Sequence, residues 1–226
     1  MNILAIETST PRASLALFES ESSELVWKSE FVTDRAHNSK IFEPLAEALE
    51  ISDQTLRYIA VGLGPGSYSG VRVGIAVANG IGLVLGIPIV GISSLEAYHA
   101  TESNFLVVGD ARRKSFFVAR VNDHSLDNDL ELLDETEFAN RITSSDPENP
   151  IFTPDQSIAE KFANVVVQLP TAEGIALRAL SLYGKESEIP QLAIEPHYLR
   201  PPYITEAKKK PVPGFPDNSL NVPGKD

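Results

Sequence analysis

Gly62-Leu63-Gly64-Pro65-Gly66-Ser67-Tyr68-Ser69-Gly70 has the glycine content of a phosphate-binding turn. It also stands where such a turn would, after the strand-like run Tyr58-Ile59-Ala60-Val61 and before a helical pattern. The reacting parts of the known phosphate loops are missing. A Walker loop needs Lys-Ser or Lys-Thr after its last glycine, and here Gly70 is followed by Val71-Arg72. Gly62, Gly64 and Gly66 alternate without the third glycine of a dinucleotide fingerprint. Gly66-Ser67-Tyr68-Ser69-Gly70 also places tyrosine where a nucleophile elbow has serine, so Ser67 and Ser69 read as caps of the following helix. The other reading of the block is a tight reversal with close backbone packing.

Two acids occupy matching places. Ile3-Leu4-Ala5-Ile6 ends at Glu7, and a polar turn then leads to the alternating strand Ala13 to Phe18. About a hundred residues later Phe105-Leu106-Val107-Val108-Gly109 ends at Asp110, and Ala111-Arg112-Arg113-Lys114 leads to a strand from Ser115 to Val121. Each acid sits at a hairpin tip. The histidines, at 37, 99, 124 and 197, include no pair three or four residues apart, and cysteine is absent. Helical His pairs, thiolate sites, disulfides and cysteine nucleophiles are therefore excluded.

The elements that must position these groups repeat. In the first half, three strands (the third from Leu25 to Val32) precede an amphipathic helix from about Asn38 to Glu50, capped by Asn38 or Ser39. The strand at Tyr58, the glycine turn, a long helix and a strand from Ile87 to Ile92 come next, and Ser93-Ser94-Leu95-Glu96 reads as a capping box opening another helix. In the second half, Leu130 to Leu133 takes the third-strand place. Strands at Ile151 and Val165 then alternate with helices from about Asp155 and Glu173. Three leading strands with alternating helix and strand behind them, written twice, predict two mixed α/β lobes with a cleft between them, 1–102 and a smaller 103–200, followed by a Pro/Lys-rich tail over 201–226.

Residues Val73 to Ile92 carry no charge and could span a bilayer by length. Gly74, Gly80, Gly82, Gly86 and Gly91, with Asn79 and Gly86-Ile87-Pro88, favour a buried helix and strand instead. This helix is apolar on every side, with small residues at fourfold spacing (Gly70, Gly74, Ala78, Gly82, Gly86), which suggests that another backbone packs closely on it. Asp and Glu outnumber Lys and Arg 31 to 19, a net charge of −12 that repels nucleic acid outside local basic patches such as Lys208-Lys209-Lys210. No secretory leader precedes Ile3, so a cytoplasmic protein without membrane partners is expected.

The duplicated hairpin unit with an acid at each tip resembles the actin, Hsp70 and sugar-kinase (ASKHA) superfamily of ATPases. Five stretches narrow the resemblance to the TsaB (YeaZ) family: residues 3–9, the block Gly64 to Gly74, Gly91-Ile92-Ser93-Ser94-Leu95, Asp110-Ala111-Arg112, and Pro196-His197-Tyr198-Leu199-Arg200. The resemblance runs from Met1 to Arg200. It implies an actin-like fold of βββαβα lobes and a non-catalytic, pseudo-enzyme subunit of the bacterial tRNA-modification assembly that places a threonylcarbamoyl group on the adenosine beside the anticodon of tRNAs reading codons that begin with A. The implied partners are the catalytic paralogue TsaD and the ATPase TsaE. ATP and metal would sit at those partners and tRNA would be met only through the complex, with a homodimer when the chain is alone. ATP-hydrolysing relatives usually carry Asp and Gly in the first hairpin, whereas this chain has Glu7-Thr8-Ser9-Thr10. Glu7, Thr8, Ser9, Asp110 and Arg112 would then be a vestigial nucleotide site. The partner would dock on His37, Ile41, Leu45, Gly70, Val71, Gly74, Ala78, Gly82 and Gly86. The alternative is an active ATPase or small-molecule kinase of the same fold.

Overall fold

A computed structural model describes residues 1–33, 38–53, 55–98, 102–127, 130–184, 189 and 194–199. His37, His99 and the tail beyond Leu199, with Lys208 to Lys210, lie outside the described residues.

Alternation of apolar residues sets the first sheet. In β1 (Asn2–Glu7), Ile3 and Ala5 face one side while Leu4 and Ile6 face the other, and both sides are buried. β1 pairs antiparallel with β2 (Arg12–Glu19), which pairs with β3 (Leu25–Val32). On the other side of β1, β4 (Leu56–Gly62) and β5 (Ile89–Ile92) run parallel to it, giving the order β3-β2-β1-β4-β5.

The second sheet repeats this order. β6 (Phe105–Asp110) pairs antiparallel with β7 (Phe116–Asn122) and parallel with β10 (Ile151–Thr153), which carries β11 (Val165–Val167) on its far side. The place of a third strand is shared by β8 (Ser125–Leu126), at one end of β7, and β9 (Glu131–Leu133), at the other. The duplicated three-strand unit read from the sequence is thus present in both lobes, the second in reduced form.

The helices cover these sheets unevenly. A 3-10 turn over Asn38–Ile41 leads into α1 (Phe42–Ile51), and α2 (Tyr68–Leu85) connects β4 to β5. Both pack on the Leu4, Ile6, Leu15, Ile59 and Val61 face of the first sheet. α2 has the length and apolarity of a membrane span. Its two ends nevertheless return to neighbouring parallel strands of one sheet, which makes it the crossover of a βαβ unit. Ser67 caps it by accepting from the Gly70 amide, and Gly86, at φ +67°, ends it in the left-handed conformation glycine tolerates. The second sheet carries α3 (Glu135–Thr143) and α4 (Gln156–Ala159) on its Leu106, Val108 and Val118 face, with Phe138, Ile142 and Ile158 inserted.

The N-cap of α1 is Ile41, which gives no side-chain hydrogen bond, and not Asn38 or Ser39, and two further details depart from the sequence reading. Ser93 does cap, but it opens only a single 3-10 turn over Ser94–Glu96, and the Glu96 carboxylate, in place of closing a capping box, accepts from Arg178 and the Leu126 amide. The other is α3, which was not anticipated although Asp134 and Glu137 form a full capping box at its start.

The last helix among the described residues, α5 (Ala172–Tyr183), comes after the second sheet in the chain but packs on the first. Ala172, Ile175, Ala176 and Ala179 lie on the Ile3, Ala5, Tyr58 and Val90 face. Thr171 caps it, Ser14 Oγ accepts from the Ala172 amide at 2.8 Å, and Gly174 sits so close to Ala97 that a side chain there would meet the Ala97 backbone.

Candidate functional site

Glu7 and Asp110 are each the last paired residue of the first strand of a lobe, opposite Ser14 and Phe116. Their surroundings differ. Glu7 is wholly buried; its Oε1 accepts from the Ser9 amide at 2.6 Å and its Oε2 from Ser94 Oγ at 2.7 Å. Burial pushes the Glu7 pKa above the usual carboxylate value, against the opposing hydrogen bonds from Ser9 and Ser94. Gly62 passes directly over this carboxylate, and any Cβ there would collide with Oε2.

The remaining glycines of the block close over the same hairpin tip. A Cβ on Gly66 would collide with the Ser9 carbonyl, one on Gly70 with the Thr8 carbonyl, and one on Gly74 with Thr8 Oγ1. The Ser67 amide donates to the Ser9 carbonyl at 2.6 Å, and Thr8 Oγ1 donates to the Gly70 carbonyl at 2.8 Å. Of the two readings of this block, the structure therefore supports close backbone packing. The helix N-terminus faces its own chain where a phosphate loop would face phosphate. The Gly64–Pro65 peptide is cis, and Gly64 is held on both sides by Ser94, whose amide donates to the Gly64 carbonyl at 2.9 Å while its Oγ accepts from the Gly64 amide at 3.0 Å.

A strap from Ile194 to Leu199 covers the start of α2. The His197 amide donates to the Leu63 carbonyl at 2.8 Å, and Tyr198 stacks on Tyr68 with centroids 5.5 Å apart. Arg72 lies 4.2 Å over the Tyr68 ring and donates from Nε to the Tyr198 hydroxyl at 2.9 Å.

Asp110 and Arg112 have partners of their own in the second lobe. Arg112 donates its amide to Asp110 Oδ1 at 2.6 Å, and the Asp110 amide donates to Asp155 Oδ2 at 2.8 Å. Both residues line a cavity of about 530 Å³ on the outer face of the second lobe, among α3 and α4, which none of Glu7, Thr8 or Ser9 borders. Tyr98 is buried within reach of both Glu7 and Asp155. Burial first, and then their negative charges, push its hydroxyl pKa far up. Ser94 and Tyr98 were missed from the sequence. The small hydroxyls after β5 were the available sign for the first, and an aromatic in a loop gave none for the second. Among the described residues no three His, Asp or Glu side chains are grouped as a metal site would require.

The residues expected at a partner surface are, where described, largely interior. Ile41, Leu45, Val71 and Ala78 belong to the core beneath α1 and α2, Gly70 and Gly74 abut Thr8, and a Cβ on Gly82 would lie 2.7 Å from the Ile89 side chain. The stripe of small residues thus serves the chain's own sheet, because small side chains let the helix sit down on β1 and β5. Gly86 stands in open space as the helix cap. The face that α2 leaves uncovered is a different one, with Leu83 85% and Val84 82% exposed. These are large apolar side chains in water.

Two sheets of one strand order, three leading strands in each, and a first hairpin sealed by its own glycine block define a two-lobed, actin-like α/β protein. Residues 31–194 match the family described as TsaD: tRNA N6-adenosine threonylcarbamoyltransferase, and the chain belongs to that family. It is 36% identical over 98 residues to the tRNA threonylcarbamoyladenosine biosynthesis protein TsaB of Escherichia coli, covering 42% of this chain and 41% of that one. To the protein of the same name from Bacillus subtilis it is 34% identical over 122 residues, covering 50% and 52%. An uncharacterized protein of Mycobacterium tuberculosis is 35% identical over 125 residues, 54% of this chain and 59% of its own length. The chain spans about half the length of the curated relatives it matches. Among solved structures, YeaZ from Pseudomonas aeruginosa superposes with a TM-score of 0.67 over 88% of this chain and 99% of that one, at 22% identity.

Proposed function

We propose that this chain is an accessory, non-catalytic subunit in the synthesis of threonylcarbamoyladenosine on tRNA, working by pairing with a catalytic paralogue of the TsaD type. The observation that carries the reading is the sealed hairpin. The position where an actin-like ATPase admits phosphate is filled by Thr8 and Ser9 packed against Gly66, Gly70 and Gly74, and the one acid there is buried and already hydrogen-bonded. Family membership and the TsaB-named relatives supply the pathway. In this reading ATP and metal belong to the partner subunits, a TsaE-type ATPase joins the pair, tRNA is met in the assembly, and the setting is the cytoplasm.

The pairing surface is the outer face of α2, carrying Leu83 and Val84, on which the chain also self-pairs when alone. A stable interface buries about 1,200–2,000 Å², and exposed large apolar side chains mark surfaces of this kind. Val84→Arg should abolish association with the paralogue in sedimentation velocity while changing stability by no more than about 0.5 kcal/mol, since the side chain is in water. Unchanged association of that variant would move the surface elsewhere. Calorimetry with Mg-ATP tests the alternative: turnover by the isolated chain that is lost in Glu7→Ala would establish an active ATPase.

A further inference from the structure

The cavity on the outer face of the second lobe takes no part in the proposed pairing. Its rim carries Arg112, Arg113, Lys114 and Lys161 against Asp110 and Glu135, and its floor carries Phe116, Phe138 and Phe162. Four cations against two acids form a local excess of positive charge on a chain whose net charge is −12. Two of the four cations are ion-paired with the two acids, Arg112 with Asp110 and Lys161 with Glu135, each at 3.4 Å. The floor is apolar: Phe116 stacks on Phe138 with centroids 4.6 Å apart, and Phe162 meets Phe138 edge-on at 5.8 Å.

The cavity exists because the second lobe is reduced. The crossover helix between the parallel strands has 18 residues in the first lobe, where it fills the outer face down to the hairpin tip. In the second lobe the corresponding α4 has 4, which leaves that end of the face open. The cationic turn is also built against local preference. Arg112, Arg113 and Lys114 all have φ near +60°, and the Ser115 amide bonds the Arg112 carbonyl at 3.2 Å, so the central pair of this hairpin turn occupies positions that favour Asn-Gly. A sequence selected for the turn alone would place glycine there. Long cations in its stead sacrifice stability and line a cavity.

We propose that this cavity binds a phosphorylated small molecule carrying a flat aromatic group, of about the size of a mononucleotide. Its phosphate is held by the rim cations and its ring lies on the phenylalanine floor. A volume of about 530 Å³ falls within the range of small-molecule sites, and guanidinium and ammonium groups provide the donors that phosphate takes.

The test is calorimetry at low salt on the full chain, with AMP, inorganic phosphate and adenosine as separate probes, together with hydrogen exchange in saturating AMP. AMP should bind saturably, and more tightly than either half-ligand. Protection should appear on residues 112–116, 135–139 and 157–162. Lys161→Glu, at an exposed position, should weaken AMP by about tenfold or more. Lys114→Gly should weaken AMP while raising the thermal midpoint, two opposite movements that a purely structural turn would not produce. Absence of saturable binding at millimolar AMP would overturn the proposal. So would protection centred on residues 7–10 and 63–70, or affinity unchanged in both variants.

Discussion

Glu7 combines full burial with short hydrogen bonds to each carboxylate oxygen, and its titration should report that environment. Its folded pKa is raised, so the folded protein holds the proton more tightly than the unfolded chain does. The stability tied to Glu7 is therefore fully present below about pH 4.5 and declines as pH rises through the folded value. Denaturant unfolding of Glu7→Gln between about pH 4 and 8 should show less loss with rising pH than the parent, and parallel curves would refute the assignment. Glu19 runs the other way. The Ser22 amide foremost, with the Glu21 amide and the N-terminus, lowers its pKa to about 2. Its contribution is complete above the usual carboxylate range and is lost as pH falls toward 2, and a carboxyl NMR titration should find that midpoint. At the glycine block the prediction is steric: Gly70→Ala forces Cβ onto the Thr8 carbonyl and should cost about 1–3 kcal/mol in chemical denaturation.

At the scale of elements, strands declared themselves and helix faces did not. β1, β2, β4 and β5 were legible because alternation or a short buried run between turn residues fixes both their type and their order. The phase of α2 was not legible. A helix apolar on every side offers no polar stripe to mark the solvent, and small residues pack equally well on a partner or on the parent sheet; Thr8 and Ile89 decide it. The candidate site was half legible for a related reason. The equivalence of Glu7 and Asp110 can be read from repeated strand ends, but burial of one and exposure of the other depend on Gly62 and Ser94, whose approach is tertiary. The capping box of α3 was readable and is testable. Asp134→Ala removes acceptors for the Thr136 and Glu137 amides and should lower stability by about 1 kcal/mol, seen as a reduced thermal midpoint.

At the scale of the whole molecule, a nearly buried ion pair links the lobes among the described residues. Arg178 of α5 donates to Glu96 at 2.7 Å and to Ser125 Oγ of β8 at 2.6 Å, while Glu96 also accepts from the Leu126 amide at 3.0 Å. The two side chains retain only 12% and 14% of their exposure, so removing either strands its partner away from water. Glu96→Gln and Arg178→Met should each destabilise by about 3 kcal/mol, with the double variant well short of the sum, a coupling measurable in a double-mutant cycle. Additive losses would show that the pair does not act as one unit.

Placement of α5 on the first sheet also bears on how the protein is made. The Ile3, Ala5, Tyr58 and Val90 face begins to find its cover only when residue 172, about 80 residues after the end of β5, has been synthesised. At about 5–20 residues per second the nascent N-terminal half waits roughly 4–16 s with that apolar sheet face bare on the ribosome. Translation speed across the second lobe, and any chaperone that shields a sheet during that wait, thereby become determinants of yield.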